Sequence, residues 1–339
     1  MPQQYGKYKI REISRTEWEN FLPYSEETTV FSTNQWQEIL EQVFEKKITI
    51  YGCFKKEDLS INGMMAGLSC QKCKKLWINY FTHPLFTPYS GLHFRILKKK
   101  RKNKILAEKL AITQELIKFL SDKFQYITFA NLYTIKDIRT FVWNDWHIKP
   151  LYTYLLKFTD KPAMFQNFYY DLKKRIEKAE KAGLNIIELY DNSQFIKLNK
   201  MTYNKQNCKS IADDRILAKF LDLVIAKGLG KMHFVCNDNE VISGQLDILD
   251  KKARIVYVLF QVSNPKYFSL GSSSFLYWKL IEKYSKDFQY LDFCGANIPS
   301  IAKFKQGFGG ELTCYYLTEF YASQSIKLAF NLYRKWRNR

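Results

Sequence analysis

The chain has 339 residues, 46% hydrophobic and 17% aromatic, with 53 Lys and Arg against 33 Asp and Glu for a formal net charge of +20. That composition excludes a disordered polymer, and the length exceeds what one core usually serves, so two domains are expected. The basic surplus implies an anionic partner (nucleic acid, a phosphate-bearing cofactor or an acidic membrane face), and codon bias in an AT-rich genome explains it equally well.

Hydrophobic periodicity gives the elements in order. A strand is expected at about 7–14, then helices at Arg15–Leu22 and Thr33–Phe44. In the second helix Asn34 is the expected cap, and Trp36, Ile39, Leu40 and Val43 form an apolar stripe. Strands follow at about 47–54, 60–70 and 74–80, then a proline-containing loop over 83–92. A long helix at about 104–122 leads into a strand at Gln125–Phe129.

The second half repeats the pattern. A strand at about 151–158 precedes a helix from Ala163 to Ala182, which Gly183 closes. A short strand at 185–189 precedes helices at about 192–204 and 213–227. Strands are expected at 231–236, 240–248 and 253–261, then a helix at 273–285 and a strand at Tyr290–Phe293. Pro299 can open a short helix, and Ser325–Arg339 is a basic amphipathic tail suited to an anionic membrane, to RNA or to docking on its own domain.

The seven cysteines stand at 53, 70, 73, 208, 236, 294 and 314, mostly within apolar runs. The first residues lack the apolar core of a signal peptide, and no segment approaches 18 uninterrupted apolar residues. A reduced cytoplasmic protein is expected, with peripheral contact at the inner membrane face left open. Cys70-Gln-Lys-Cys73 sits at an expected hairpin without a second ligand pair, so no metal is expected. The four histidines carry no catalytic motif, and His233 reads as a structural residue in a strand.

The two halves also match in letters. Phe124-Gln-Tyr-Ile-Thr-Phe, ending at Ala130-Asn131, mirrors Phe288-Gln-Tyr-Leu-Asp-Phe, ending at Ala296-Asn297. Each follows a long helix, which implies an internal duplication. Thr128 stands where the second copy has Asp292, so the second half reads as the chemical copy.

Two places in that copy carry chemistry. Gly271 with Ser272, Ser273 and Ser274 puts free backbone N–H groups at a helix N-terminus, a ready anion site; N-capping by serine explains the same residues. The run from Leu291 to Gly310 delivers Asp292, Asn297 and Lys305 from a strand end and the following turn. Acyl transfer to an amine needs a neutral nucleophile, donors for the oxyanion and a cation near the leaving group. Lys305 is the candidate cation. Asp292 is the candidate for orienting or deprotonating the amine, with capping of the next turn as its structural alternative. Asn297 and Phe304 would shape the wall.

The run Leu291–Gly310 closely resembles the C-terminal signature of the Fem-like branch of the GNAT acyltransferases. Lys173-Lys-Arg-Ile-Glu-Lys-Ala-Glu-Lys-Ala-Gly183 resembles the stretch that opens the second domain of those proteins, and Met201–Asn207 resembles their Thr/Tyr-x-x-Arg/Lys segment. Val30–Trp36 and Pro88–Leu92 look like landmarks of the first domain. The resemblance implies an α/β fold of two tandem GNAT-like domains, a degenerate one at 1–150 and a catalytic one at 151–339. It implies Arg175 as a phosphate or carboxylate clamp, a task suited to its planar fork, and Tyr203 and Lys205 as lining the cleft. In GNAT proteins the Gly271 loop position holds the pyrophosphate of acyl-CoA. Here Phe268 stands where Gln or Arg usually opens that loop, a departure that resembles Fem-type transferases, whose donor is an aminoacyl-tRNA. The implied function is transfer of an acyl or aminoacyl group, from acyl-CoA or aminoacyl-tRNA, to an amine of a cell-envelope precursor such as that of peptidoglycan, or of a polysaccharide precursor. The rival expectation is an inactive tandem GNAT that binds RNA or a membrane through its basic face.

Overall fold

The computed structural model describes residues 4, 5, 7–70, 78–96, 101–205, 209, 210 and 212–337. The chain divides into two compact units. The first is Met1–Leu151 with Cys314–Trp336, and the second is built on Tyr152–Thr313. The sequence reading placed all of 151–339 in one domain. Cys314–Trp336 belongs instead to the first unit, because Leu317–Tyr321 pairs antiparallel with Tyr126–Ala130.

In the first unit the strands Gln4–Tyr5, Tyr8–Glu12, Ile48–Lys55, Ile61–Cys70, Tyr80–Thr82 and Tyr126–Ala130 lie side by side in that order. All pairings here are antiparallel except Tyr80–Thr82 with Tyr126–Ala130. The helix Lys102–Lys123 buries Ile112, Leu116, Ile117 and Leu120, spaced about one turn apart, against Ile10, Cys53, Met65, Phe81 and Phe129 of the sheet. The helix Asn34–Phe44 is capped by Thr33, whose hydroxyl accepts from the Trp36 N–H, and not by Asn34. Asn34 lies inside the helix because Thr33 holds the extended backbone that a cap needs.

The second unit orders its strands as the Tyr152–Lys157 part of His147–Lys157, then Tyr290–Asp292, Ile255–Ser263, Glu240–Asp250, Gly230–Asn237 and Asn185–Glu188. Again one pair is parallel, Ile255–Ser263 with Tyr290–Asp292, and the rest are antiparallel. The helices Tyr170–Lys181 and Ser272–Tyr284 bury Ile176, Ala179, Leu276, Leu280 and Ile281. Phe195 and Phe220, from the helices Asn192–Lys205 and Asp214–Ala226, meet Phe260 edge-on.

The matched motifs occupy equivalent slots. Tyr126 and Tyr290 each open a strand that pairs parallel with an earlier one, and Thr128 and Asp292 each stand in the third pair. Both side chains are buried. The duplication therefore extends from letters to hydrogen-bond pattern.

One expected element divides, and others appear that the sequence does not announce. The single helix expected from Ala163 to Ala182 is two, Lys161–Gln166 and Tyr170–Lys181. The break lets Phe168 turn inward, edge-on to Trp278 and Phe308, and the Tyr169 N–H donates to the Gly307 carbonyl. Periodicity cannot register such a break, because the apolar stripe continues across it. A short strand at Leu92–Phe94 and a helix at Arg139–Trp143 were not foreseen. Residues 71–77, and with them the Cys70–Cys73 hairpin and most of the strand expected at 74–80, lie outside the described residues, as do 97–100.

Candidate active site

All of the sequence-derived site residues lie in the second unit. Gly271, Ser272, Ser273, Asp292, Asn297, Phe304 and Lys305 stand at or after the carboxyl ends of its two parallel strands, and Arg175, Tyr203 and Lys205 stand on the helices Tyr170–Lys181 and Asn192–Lys205. Because Ile255–Ser263 and Tyr290–Asp292 run the same way, the turns after them open at one edge of the sheet. The parallel ladder stops at Tyr257 and Asp292, while the longer strand runs on to Ser263. Its other flank carries a bulge: Leu246 faces Phe260 and Asp247 faces Val258, which leaves Leu259 as the extra residue. A bulge leaves a backbone group without a ladder partner and re-aims the chain, and such features gather next to active sites. Nothing in the periodicity of Ala253–Gln261 announces it.

The first cluster surrounds Gly271. This residue ends the 3-10 turn Pro265–Leu270, adopts φ +76° and starts the helix Ser272–Tyr284. A Cβ here would lie 2.4 Å from the Arg175 carbonyl oxygen. Glycine is thus required twice, for its left-handed backbone and for the close approach of the Tyr170–Lys181 helix. That approach brings the backbone of Arg175 to the Gly271 turn, with the Arg175 side chain exposed.

Ser273 is held by the Gln261 amide and the Ser263 hydroxyl, each at 2.9 Å. Ser263 also bonds Ser243 at 2.9 Å, and its backbone N–H donates to the Thr202 hydroxyl at 2.9 Å. Thr202 thereby ties the end of the helix Asn192–Lys205 to the same cluster. Tyr203 is half-buried and Lys205 exposed one and three residues further along. The Ser272 hydroxyl is 1% exposed and has no hydrogen-bond partner, although it sits at a helix N-terminus with free N–H groups around it.

The second cluster follows Asp292. That carboxylate is 0% exposed and accepts from the Thr153 hydroxyl at 2.6 Å and the Cys294 N–H at 2.8 Å. Cys294 and Gly295 then take positive φ, and the Gly295 N–H donates to the Thr153 hydroxyl. Asp292 thus holds a tight turn and is not presented to solvent.

Lys305 reaches back from the helix Pro299–Gln306. Its Nζ donates to the carbonyls of Phe293 at 2.5 Å and Gly295 at 2.6 Å, which leaves one of its three donors. Burial pulls its pKa from a lysine's ordinary 10.5 down to about 8, against the pull of Cys294 and Asp292 in the other direction. Asn297 is exposed, and its side-chain oxygen accepts from the Tyr152 N–H at 2.8 Å. Phe304 is half-buried with its ring 5.6 Å from Tyr277. Tyr277 also stacks on Phe293 at 5.4 Å, so the helix Ser272–Tyr284 carries Ser272, Ser273 and Ser274 at its start and packs on the Asp292 turn one turn later.

Sequence reading missed a polar lane on the strand Glu240–Asp250. Ser243, Gln245 and Asp247 alternate, so they share one face. Ser243 joins the Ser263 cluster. Asp247 is 0% exposed, accepts from Gln245 at 2.7 Å and Tyr284 at 2.9 Å, and is pushed by burial from 3.8 to about 7. His233 lies 3.8 Å from Asp247, and burial lowers its pKa to about 4. Its Nε2 is 3.0 Å from Lys283 Nζ, so the strand position was read, but not this network. Three polar residues at period two within a stretch of apolar residues and glycine were the signal.

The two mixed, mostly antiparallel units, each with one parallel pair, have the tandem GNAT fold of the solved structures that they resemble. Solved structures of similar fold span nearly the whole chain. FemX superposes with a TM-score of 0.63 at 12% identity, covering 91% of this chain and 96% of its own. L-PGS from Bacillus licheniformis has a TM-score of 0.54 at 10% identity, with coverage of 97% and 98%. A tandem GNAT protein from the clavulanic acid biosynthesis pathway has a TM-score of 0.52 at 7% identity, with coverage of 93% and 99%. No protein-family model and no curated protein sequence matches the chain.

Proposed function

We propose that the chain is an N-acyltransferase that moves an acyl or aminoacyl group from a phosphate-bearing donor, acyl-CoA or aminoacyl-tRNA, to an amine of a cell-envelope or polysaccharide precursor. The observation that carries this reading is the buried, unpartnered Ser272 hydroxyl at the Gly271 helix N-terminus. A buried hydroxyl without a partner is costly, and a donor phosphate would accept from it and from the free N–H groups beside it.

Direct transfer fits the groups present. Burial raises the Cys294 thiol well above its usual range, as it does Cys53 and Cys236, so none supplies a thiolate. The amine attacks the donor carbonyl, the C–N bond forms as the C–S or C–O bond breaks, and the amine proton leaves to solvent or a base. In this reading Lys305 offers its remaining donor to the developing oxyanion or the leaving group, and Asp292 fixes the turn that aims it. Arg175, Tyr203 and Lys205 would meet the precursor's phosphate, and Asn297 and Phe304 would wall the cleft. The names of two similar structures, FemX and L-PGS, agree with this class of chemistry.

The test is thermal unfolding with coenzyme A, acetyl-CoA, a charged tRNA pool and nucleotide-sugar precursors, followed by transfer assays with any donor that binds. A ligand at a hundred times its dissociation constant adds about 2.7 kcal/mol to the folded state. Stabilisation by coenzyme A selects an acyl-CoA enzyme. Stabilisation by tRNA and a precursor selects aminoacyl transfer. Stabilisation by no donor, with no labelled product, defeats the proposal.

A further inference from the structure

The first unit carries an exposed apolar corner that the proposed chemistry does not use. Val142 and Trp143, at the end of the helix Arg139–Trp143, are 54% and 62% exposed. Leu328 and Leu332, on the C-terminal helix Gln324–Arg337, are 61% and 59% exposed. The two places border one open hollow of about 640 Å³, lined by Val142 and His147 on one side and by Tyr321, Gln324 and Lys327 on the other.

The C-terminal helix has two apolar stripes. One docks: the Phe330 ring stacks on Tyr126 at 4.0 Å and meets Tyr321 at 6.1 Å, and Ile326, one turn earlier, is half-buried. The other, Leu328 and Leu332, points away, and in the sequence the same spacing continues to Trp336. An apolar stripe that its own domain leaves bare asks for a cover.

Charge says which cover. Residues 324–339 contain Lys327, Arg334, Lys335, Arg337 and Arg339 and no acid. Lys327 lines the hollow, and Arg139 sits 5.5 Å over the Trp143 ring while paired with Asp137. Asp145 also borders the hollow. The balance is cationic, around Trp143 on one helix and the two leucines on a helix docked through its Phe330 side. That is the arrangement of an interfacial helix, with apolar side chains entering the headgroup boundary and cations meeting anionic lipid.

We infer that this face of the first unit, through Trp143, Val142, Leu328 and Leu332, docks on an anionic lipid bilayer. The inference stands apart from the proposed transfer reaction, because it concerns binding by side chains outside the candidate site.

Co-sedimentation of the full chain with vesicles tests it, using phosphatidylcholine alone and phosphatidylcholine mixed with phosphatidylglycerol. The chain should pellet with the anionic vesicles and fall off steeply with added salt. Leu328→Glu with Leu332→Glu, and separately Trp143→Ser, should each cut binding about tenfold or more. All of these positions are exposed, so circular dichroism and melting should match wild type. No binding to anionic vesicles, or equal binding by both variants, overturns the inference. So does a lipid-free dimer in sedimentation velocity that the leucine variant makes monomeric, since the face would then belong to a second copy.

Discussion

The Lys305 ammonium lies 2.5 Å from the Phe293 carbonyl oxygen and 2.6 Å from that of Gly295, which makes this lysine the clamp of the Asp292 turn. A cation chosen from sequence for catalysis is thus also a structural element. Loss of activity on its removal would mix two causes, and stability must be measured beside rate.

Lys305→Met should be less stable than wild type at pH 7 by about 2 kcal/mol, since two buried carbonyls lose their donor. The pH dependence is the sharper check. The folded pKa is about 8 and the ordinary value 10.5, so the folded state binds fewer protons between them. Wild-type stability should therefore rise as pH goes from about 8 to 10.5, and the methionine variant should lack that rise. Chemical denaturation across that range reads both.

Asp247→Asn isolates two opposing titrations. The folded carboxyl titrates near 7 against 3.8 unfolded, so the folded state holds the extra proton and stability falls as pH rises through that window. His233, held near 4 against 6.5, acts the other way: stability rises as pH climbs from about 4 to 6.5. The asparagine variant should keep only the histidine limb and should gain on wild type above pH 7. Parallel curves for the two proteins would show that Asp247 is ionised throughout.

Gly271→Ala should be strongly destabilising. The substitution meets the Arg175 carbonyl at 2.4 Å and a φ of +76°. Strain of this kind costs roughly 1–3 kcal/mol, and each kcal/mol moves the melting temperature of a domain this size by about 2–4 °C. A melting temperature within 1 °C of wild type, on the scale of that same conversion, would show that the two helices separate freely. Ser272→Ala, by contrast, removes a hydroxyl with no partner and should leave the unliganded protein as stable or more so. It should weaken stabilisation by whichever phosphate-bearing donor binds.

Asp292→Asn tests whether the acid or only its shape is needed. The Thr153 and Cys294 donors would meet an amide, which accepts from just one end, so a loss of about 1–3 kcal/mol is expected by denaturation. Thr153→Val should cost a similar amount, and the double variant should lose less than the sum, because the pair shares one bond. Additive losses would mean that the two side chains act separately.

Much of the fold was legible in the sequence because it rests on local rules. The Trp36–Ile39–Leu40–Val43 stripe, the Gly183 stop, the nearly all-apolar strand before Ser263 and the repeated Phe-Gln-Tyr motif each encode a period or a stop that needs no distant partner. The same rules singled out Gly271 and Asp292 as candidates, since glycine turns and strand-end polar residues carry their own punctuation, while Lys305 was picked out through its resemblance to the Fem-like signature. They failed where the deciding contact was remote. The helix break at Phe168 answers to Trp278 and Phe308, and the membership of Cys314–Trp336 answers to a strand nearly two hundred residues earlier.

The sequence by itself determined the alternation of strands and helices, the doubled plan and the residue types of the candidate site. Only the tertiary structure decided which of those residues are presented and which are buried. It buried Asp292 within a hydrogen-bonded turn that Lys305 clamps from the next helix, left the Ser272 hydroxyl without a partner and turned Leu328 and Leu332 outward. The reason is physical: periodicity fixes which side of an element a residue occupies, while burial and bonding depend on what another part of the chain brings against that side.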